Sequence, residues 1–292
     1  MPRLMKRAGK TFLLKSLHEE EEYCMNEELE CLSVLQNVKT EPVENEFIKK
    51  WKEQSKGVMG WFCTYVPEEI IYAAGFLPYR MTGSSGETIE ADSYLYSNTC
   101  SYVRSCLEGG MKGQYDFVDG IVSCNTCDAM RRLHDVWRRY AKTPFTHILA
   151  VPHKISENTL SYYQNQLTTF KTRLEELSGR KISDSDLQDA IGVYNRSRSL
   201  LKELYDLRKR EKPPITGAET LNVVRAGMVM PKPEYNEILA DILNEIQSRE
   251  VETGGKARLL ISGSIIDQPE YIEAIEESGG LIVTDDLCTG TR

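Results

Sequence analysis

From Glu46 to Pro152 short apolar runs alternate with helix-patterned stretches, and that alternation leaves few folds open. The run VMGWFCTYV is apolar, aromatic and β-branched, which fits a buried strand, and a helix over roughly 46–55 precedes it. Pro67 opens EEIIYAAG, whose apolar residues recur at helical spacing until Gly75; a proline in the first turn and a glycine after the last suit a short helix. FLPYRM reads as the next strand, the stretch Thr82–Gly86 as a loop, and 98–110 as a helix carrying Cys100 and Cys106. FVDGIVSC then predicts a strand, NTCDAMRRLHDVWRRY a helix with Met130, Leu133 and Trp137 on one side, and HILAVP a further short strand. Strands that alternate with helices imply a parallel sheet covered on both faces.

Beyond this α/β unit the pattern changes twice. Between Asn158 and Arg210 it predicts two long helices, the first stopping at Ser178–Gly179 and the second capped by Ser183 with Asp186 three residues on. Pro213–Pro214 is a stop, and two more helices follow near 217–229 and 234–249. Then ARLLISGS reads as a strand, PEYIEAIEESGG as a helix and LIVTDD as a strand that leads into Cys288. Two strands and one helix do not close a sheet core alone. Another chain would complete the sheet, or the sequence is a fragment of a longer polypeptide, and the fragment is the favoured expectation. The expected segments are a charged, loosely helical extension over 1–45, a first α/β domain over 46–157, a helical segment over 158–250 and the start of a second, incomplete α/β domain over 251–292. In the extension, Cys24 and Cys31 read as bystanders.

Composition narrows the function. A net charge of -8 with no Lys/Arg run argues against non-specific nucleic-acid binding. No apolar stretch approaches the ~18 residues of a membrane span. The start of the chain holds only Phe12–Leu13–Leu14 as an apolar run, too short for a signal peptide, so the expected location is the cytoplasm. Eight cysteines in such a chain point to inert, metal-bound or redox-active thiols rather than disulfides.

Cys124 and Cys127 form a CxxC between a strand end and a helix start, which suits dithiol redox chemistry because a helix N-terminus lowers a thiol pKa. Structural zinc would need a second ligand pair, and none of the four histidines supplies one. A third reading takes Cys127 together with Cys100 and Cys288. Ligands gather beyond the carboxyl ends of the strands of open α/β sheets, and both Cys127 and Cys288 follow strand ends, whereas Cys100 opens a helix. Three converging thiolates hold an iron–sulfur cluster and leave one iron open. Spacing alone favours simple packing of Cys100 beside Val103 and Leu107.

The segments KGVMGWFCTYVPEEIIYAAGFLPYR, DSYLYSNTCSYVRSCLEG, YDFVDGIVSCNTCDAMRRLHDVW and GGLIVTDDLCTGTR, in this order, resemble the D-component family of 2-hydroxyacyl-CoA dehydratases, which includes benzoyl-CoA reductase subunits. The similarity runs from about Glu46 to Arg292. Family members continue past the DDLCTG segment. The resemblance implies two Rossmann- or flavodoxin-like parallel-sheet domains joined by a helical segment, the second truncated here. It implies a 4Fe-4S cluster on Cys100, Cys127 and Cys288, the third ligand being the one whose position varies among members. Cys63, Cys106 and Cys124 are assigned to packing, with Cys124 in reserve.

The implied function is that of a dehydratase subunit that eliminates water from a 2-hydroxyacyl-CoA. An ATP-dependent iron–sulfur activator would deliver one electron to the cluster, which passes it to the thioester carbonyl. The resulting ketyl radical would expel hydroxide, with the vacant iron acting as a Lewis acid. The implied partners are a homologous second subunit, that activator and the acyl-CoA. The alternatives are a benzoyl-CoA-reductase-type subunit that reduces an aromatic acyl-CoA and a noncatalytic homologue. Glu69, in the PEE segment, is the expected acid/base near the substrate carbonyl. The helix dipole, worth ~0.3–1 kcal/mol, accounts for an acid there as well. Asp285 and Asp286 read either as partners around Cys288 or as a polar strand end, the latter favoured. MTGSSGE lacks the lysine of a nucleotide loop, so ATP belongs to a partner. The run RRLHDVWRR and the KISEN segment would suit CoA phosphates or an acidic activator, and an exposed helix face explains them equally.

Overall fold

The structure, a computed structural model, describes residues 30–83 and 86–291; Cys24 and most of the expected extension lie outside them. The first unit is built on four parallel strands, β1 (Val58–Trp61), β2 (Leu77–Arg80), β3 (Gly120–Cys124) and β4 (Phe145–Leu149), in the spatial order β2-β1-β3-β4. Gly60 pairs with Tyr79 on one side and Ile121 on the other, and Ile121 with Thr146. The sheet carries helices on both faces. Val58, Tyr79 and Ile121 point towards α2 (Glu46–Glu53), α4 (Ser101–Met111) and α5 (Asp128–Tyr140), where they pack with Trp51, Leu107 and Trp137. Met59, Trp61, Val122 and Cys124 point the other way, onto α3 (Glu68–Ala73), α6 (Glu157–Ser178) and α7 (Asp184–Leu207). Alternation along each strand thus builds two cores from a single sheet.

Several boundaries differ from the sequence reading. β1 ends at Trp61 rather than running to Val66, because Cys63–Val66 close a turn through Val66 N–H donating to Cys63 O at 2.9 Å. Pro67 occupies the N-cap of α3 instead of its first turn. α4 begins at Ser101, so Cys100 is its N-cap rather than a residue inside the helix.

α6 ends on Gly179, whose φ of 70° is a left-handed cap that favours glycine. α7 starts with the capping box of Ser183 and Asp186, where each side chain satisfies an orphan backbone N–H. α8 (Gly217–Gly227) and α9 (Lys232–Glu245) pack against α7 and against α1 (Glu30–Gln36). From Glu30 the segment read as an extension is packed structure. Leu32 and Leu35 are each 1% exposed, and Cys31 N–H donates to Glu245 Oε1 at 3.0 Å.

The last part holds β5 (Ala257–Ser262), α10 (Glu270–Glu277) and β6 (Gly280–Asp286). The two strands form a separate parallel sheet. Its β6 side rests on α8 through Ile282, Ala218, Leu221 and Ile272, while β5 is largely exposed. Glu276, nearly buried, fastens this packing. Its carboxylate accepts from Gly217 N–H at 2.8 Å and Ala218 N–H at 3.4 Å at the start of α8, and from Ile282 N–H at 3.1 Å in β6. No helix of the described residues is long and apolar enough to cross a membrane.

Candidate functional site

The order of the first sheet reverses between β1 and β3, and in parallel α/β sheets the crevice beyond the carboxyl ends at that reversal is where ligands bind. Cys63 follows β1 there and Cys127 follows β3. Both line a cavity of about 650 Å³ that Cys100 and Cys288 also line. The three cysteines read from the sequence as a ligand set therefore share one enclosure. Cys63, assigned to packing, is a fourth thiol in it. The apolar run around Cys63 reads as one long buried strand, which suits packing, whereas the chain leaves the sheet at Trp61, two residues before it.

Each thiol is held differently. Cys127 caps α5, and its Sγ accepts from Met130 N–H at 3.4 Å. Cys100 caps α4 with no side-chain hydrogen bond, so its sulfur stays available. Cys288 lies after β6, tied by its own N–H to Ser264 O at 2.7 Å. Asp285 organises that turn. It accepts from Thr291 N–H at 2.8 Å and from Tyr205 O–H at 2.5 Å, and it lies 3.7 Å from the buried Arg208. An added Cβ at Gly290 would fall on Asp285 Oδ1 and displace that carboxylate from its place in the turn. Asp285 is thus a buried brace rather than a solvated strand end. Cys63 Sγ lies 3.5 Å from Thr126 Oγ1, and a hydrogen bond from Cys124 pulls its pKa down to about 5. Cys124 itself is pushed up, first by that same hydrogen bond and then by burial. Cys106 is fully buried among apolar side chains, and burial raises its thiol.

Phe62, Val103, Met130 and Ile265 supply the apolar wall of the thiol cavity. Among the described residues no three His, Cys, Asp or Glu side chains are close enough to hold a single metal ion. A four-iron cube is bulkier than one ion and holds its thiolates further apart. An all-thiol donor set in an apolar chamber suits such a cube.

A second chamber of about 600 Å³ adjoins the first and shares Thr64 and Cys288 with it. Trp61, Tyr194, Tyr235 and Met228 give it an aromatic and apolar lining. Trp61 Nε1 is buried with no hydrogen-bond partner. Glu68 lines this chamber, and burial raises its pKa although Lys232, 3.9 Å away, pulls the other way. Lys232 is itself engaged, 5.3 Å from the Tyr194 ring and 5.6 Å from the Tyr235 ring. Glu69, the expected acid/base, lines neither chamber; Arg198 on α7 binds its carboxylate. Of the two adjacent glutamates, the structure puts Glu68 against the chamber. In the basic helix run, Arg131 and Arg132 are exposed and pair with Asp128, and His134 is buried with its Nδ1 2.9 Å from Ser123 Oγ.

A family model described as 2-hydroxyglutaryl-CoA dehydratase, D-component, matches residues 63–292. The chain is 36% identical over 245 residues to a benzoyl-CoA reductase subunit of Thauera aromatica, an alignment that covers 82% of this chain and 64% of that protein. It is 27% identical to the (R)-phenyllactyl-CoA dehydratase beta subunit of Clostridium sporogenes, covering 86% of this chain and 68% of the relative. With the beta subunit of (R)-2-hydroxyglutaryl-CoA dehydratase of Acidaminococcus fermentans it shares 28% identity, over 84% and 65%. The chain thus spans about two-thirds of the length of these relatives.

Proposed function

This chain belongs to the 2-hydroxyglutaryl-CoA dehydratase D-component family, and from that membership we propose that it is an iron–sulfur subunit of an ATP-activated radical 2-hydroxyacyl-CoA dehydratase. The observation that carries the reading is the convergence of Cys100, Cys127 and Cys288 on one apolar-walled cavity. Those three thiolates would hold a 4Fe-4S cluster. When bound, such a cluster supplies a one-electron donor and a Lewis-acidic iron.

The residues of the chain do the rest. Phe62, Val103 and Ile265 give the thiol cavity an apolar wall. The neighbouring chamber would take the acyl group between Trp61, Tyr194 and Tyr235, with Trp61 Nε1 free to donate to a bound oxygen. Glu68 is the group that would hold or release a proton there, since its raised pKa suits transfer nearer neutrality. The Lys232 ammonium faces it at 3.9 Å. Glu69, by contrast, would serve as an anchor for Arg198. A homologous second subunit and an ATP-dependent iron–sulfur activator complete the proposed system, which would work in the cytoplasm. The two parallel sheets are read as two Rossmann- or flavodoxin-like domains joined by α6–α9.

A second reading is a benzoyl-CoA-reductase-type subunit acting on an aromatic acyl-CoA. The aromatic lining of the second chamber and the identity to a benzoyl-CoA reductase subunit favour it. Anaerobic reconstitution with iron and sulfide tests the common part. The expected result is a brown protein with about four irons per chain. Cys100→Ser, Cys127→Ser or Cys288→Ser should each lower the iron content, and Cys106→Ser should not. A chain that stays colourless would remove the enzymatic reading and leave a noncatalytic homologue.

A further inference from the structure

Arg80 closes β2 and is only 2% exposed, yet its Nη1 has no hydrogen-bond partner. Its guanidinium lies 4.4 Å over the Trp61 ring, and no ion pair among the described residues includes it. A buried guanidinium is always charged and is costly unless something anionic compensates it. The cation–π contact offsets part of that cost and supplies no counter-charge. The side chain lines the thiol cavity on one side and a small cavity on the other. The small cavity holds Asp267, but it also holds Arg225, whose Nε is likewise without a partner. Glu41 and Glu270 also face Arg225, and Asp267 is the one carboxylate in the lining of the small cavity beside Arg80.

Two further anions are within reach: the Cys63 thiolate, which lines the same cavity and which the Arg80 charge favours, and whatever Cys100, Cys127 and Cys288 bind. A cluster on three thiolates carries net negative charge and gains one more on reduction. Resting on the cluster reading above, we infer that Arg80 is the internal counter-charge of the thiol cavity and makes the bound cluster easier to reduce. It acts on the cofactor by its field, from a side chain that is itself buried. The guanidinium is therefore less fully compensated in the cluster-free protein than in the loaded one.

The test uses the full chain, cluster-free and reconstituted, as wild type, Arg80→Met and Arg80→Lys. Redox titration followed by electron paramagnetic resonance reads the cluster. Arg80→Met should weaken reduction at least tenfold, which is 59 mV more negative for one electron, and Arg80→Lys should weaken it less. Thermal melting reads the empty protein. There Arg80→Met should melt at or above wild type, because an apolar isostere carries no unpaired charge. Reduction equilibria within twofold of each other would overturn the inference and leave the cluster reading standing. So would an Arg80→Met chain that melts well below wild type or fails to fold when cluster-free, since that marks a structural residue. Wild type that takes up no iron would overturn both.

Discussion

Glu68 and Glu69 stand side by side at the start of α3, and a helix turns about 100° per residue, so the two carboxylates face different surroundings. One meets the chamber and the other meets Arg198. Burial raises the pKa of Glu68, so the folded chain holds this proton more tightly than the unfolded one does. Stability is therefore lost as pH rises from the ordinary carboxylate value, about 4.3, through the raised one, and the penalty is complete above it. Glu68→Gln should melt a few degrees above wild type at pH 8 and coincide with it near pH 4, at about 2–4 °C per kcal/mol. Equal melting at both values would show that Lys232 already compensates the charge. If Glu68 also moves a proton in catalysis, the same variant should lose about 10²–10⁴ in rate. The PEE segment announces an acid at a helix start. Which glutamate turns inward is decided by the path of the chain across α7, and no local pattern carries that.

At the scale of elements, strands and helices were legible because their signals are local. Each predicted strand from VMGWF onward has its counterpart, and the Ser183–Asp186 pattern marks a real capping box. Less visible was how the elements meet. Glu276 reads as one more acid on an exposed helix, yet it is 7% exposed and accepts from backbone N–H groups of α8 and β6. Glu276→Ala would strand those buried donors, each costing about 1–3 kcal/mol. Hydrogen exchange should then quicken in β6 and at the start of α8 while β1–β4 keep their protection. Unchanged exchange in β6 would mean that Ile282 and Leu221 hold the sheet unaided. Likewise, Leu32 and Leu35 lie in a charged stretch that gives no hint of a partner, and only α8 and α9 provide the surface they bury against.

For the molecule as a whole, imidazoles sealed in the first unit contribute to the acid limb of stability above the range in which Glu175 titrates. His147 stacks at 4.9 Å on Phe170, and burial, with Arg173 beside it, lowers its pKa to about 4. His134 is lowered by burial in the same way. As pH falls below about 6.5 the unfolded chain takes up protons that the folded one refuses, so stability is lost between there and about 4, at most about 1.4 kcal/mol per pH unit for each group. His147→Gln should flatten the dependence of the urea midpoint on pH in this window, and an unchanged slope would assign the acid limb to carboxylates.

Cys63, Cys100 and Cys127 belong to the four-stranded unit, and Cys288 belongs to the end of β6, so the enclosure they share is a joint between two sheets. Anything that grips sulfurs from both sides works as a rivet. Were the proposed cluster seated there, cargo and cohesion would become one quantity, and its removal would slacken this joint first, with the larger sheet still intact.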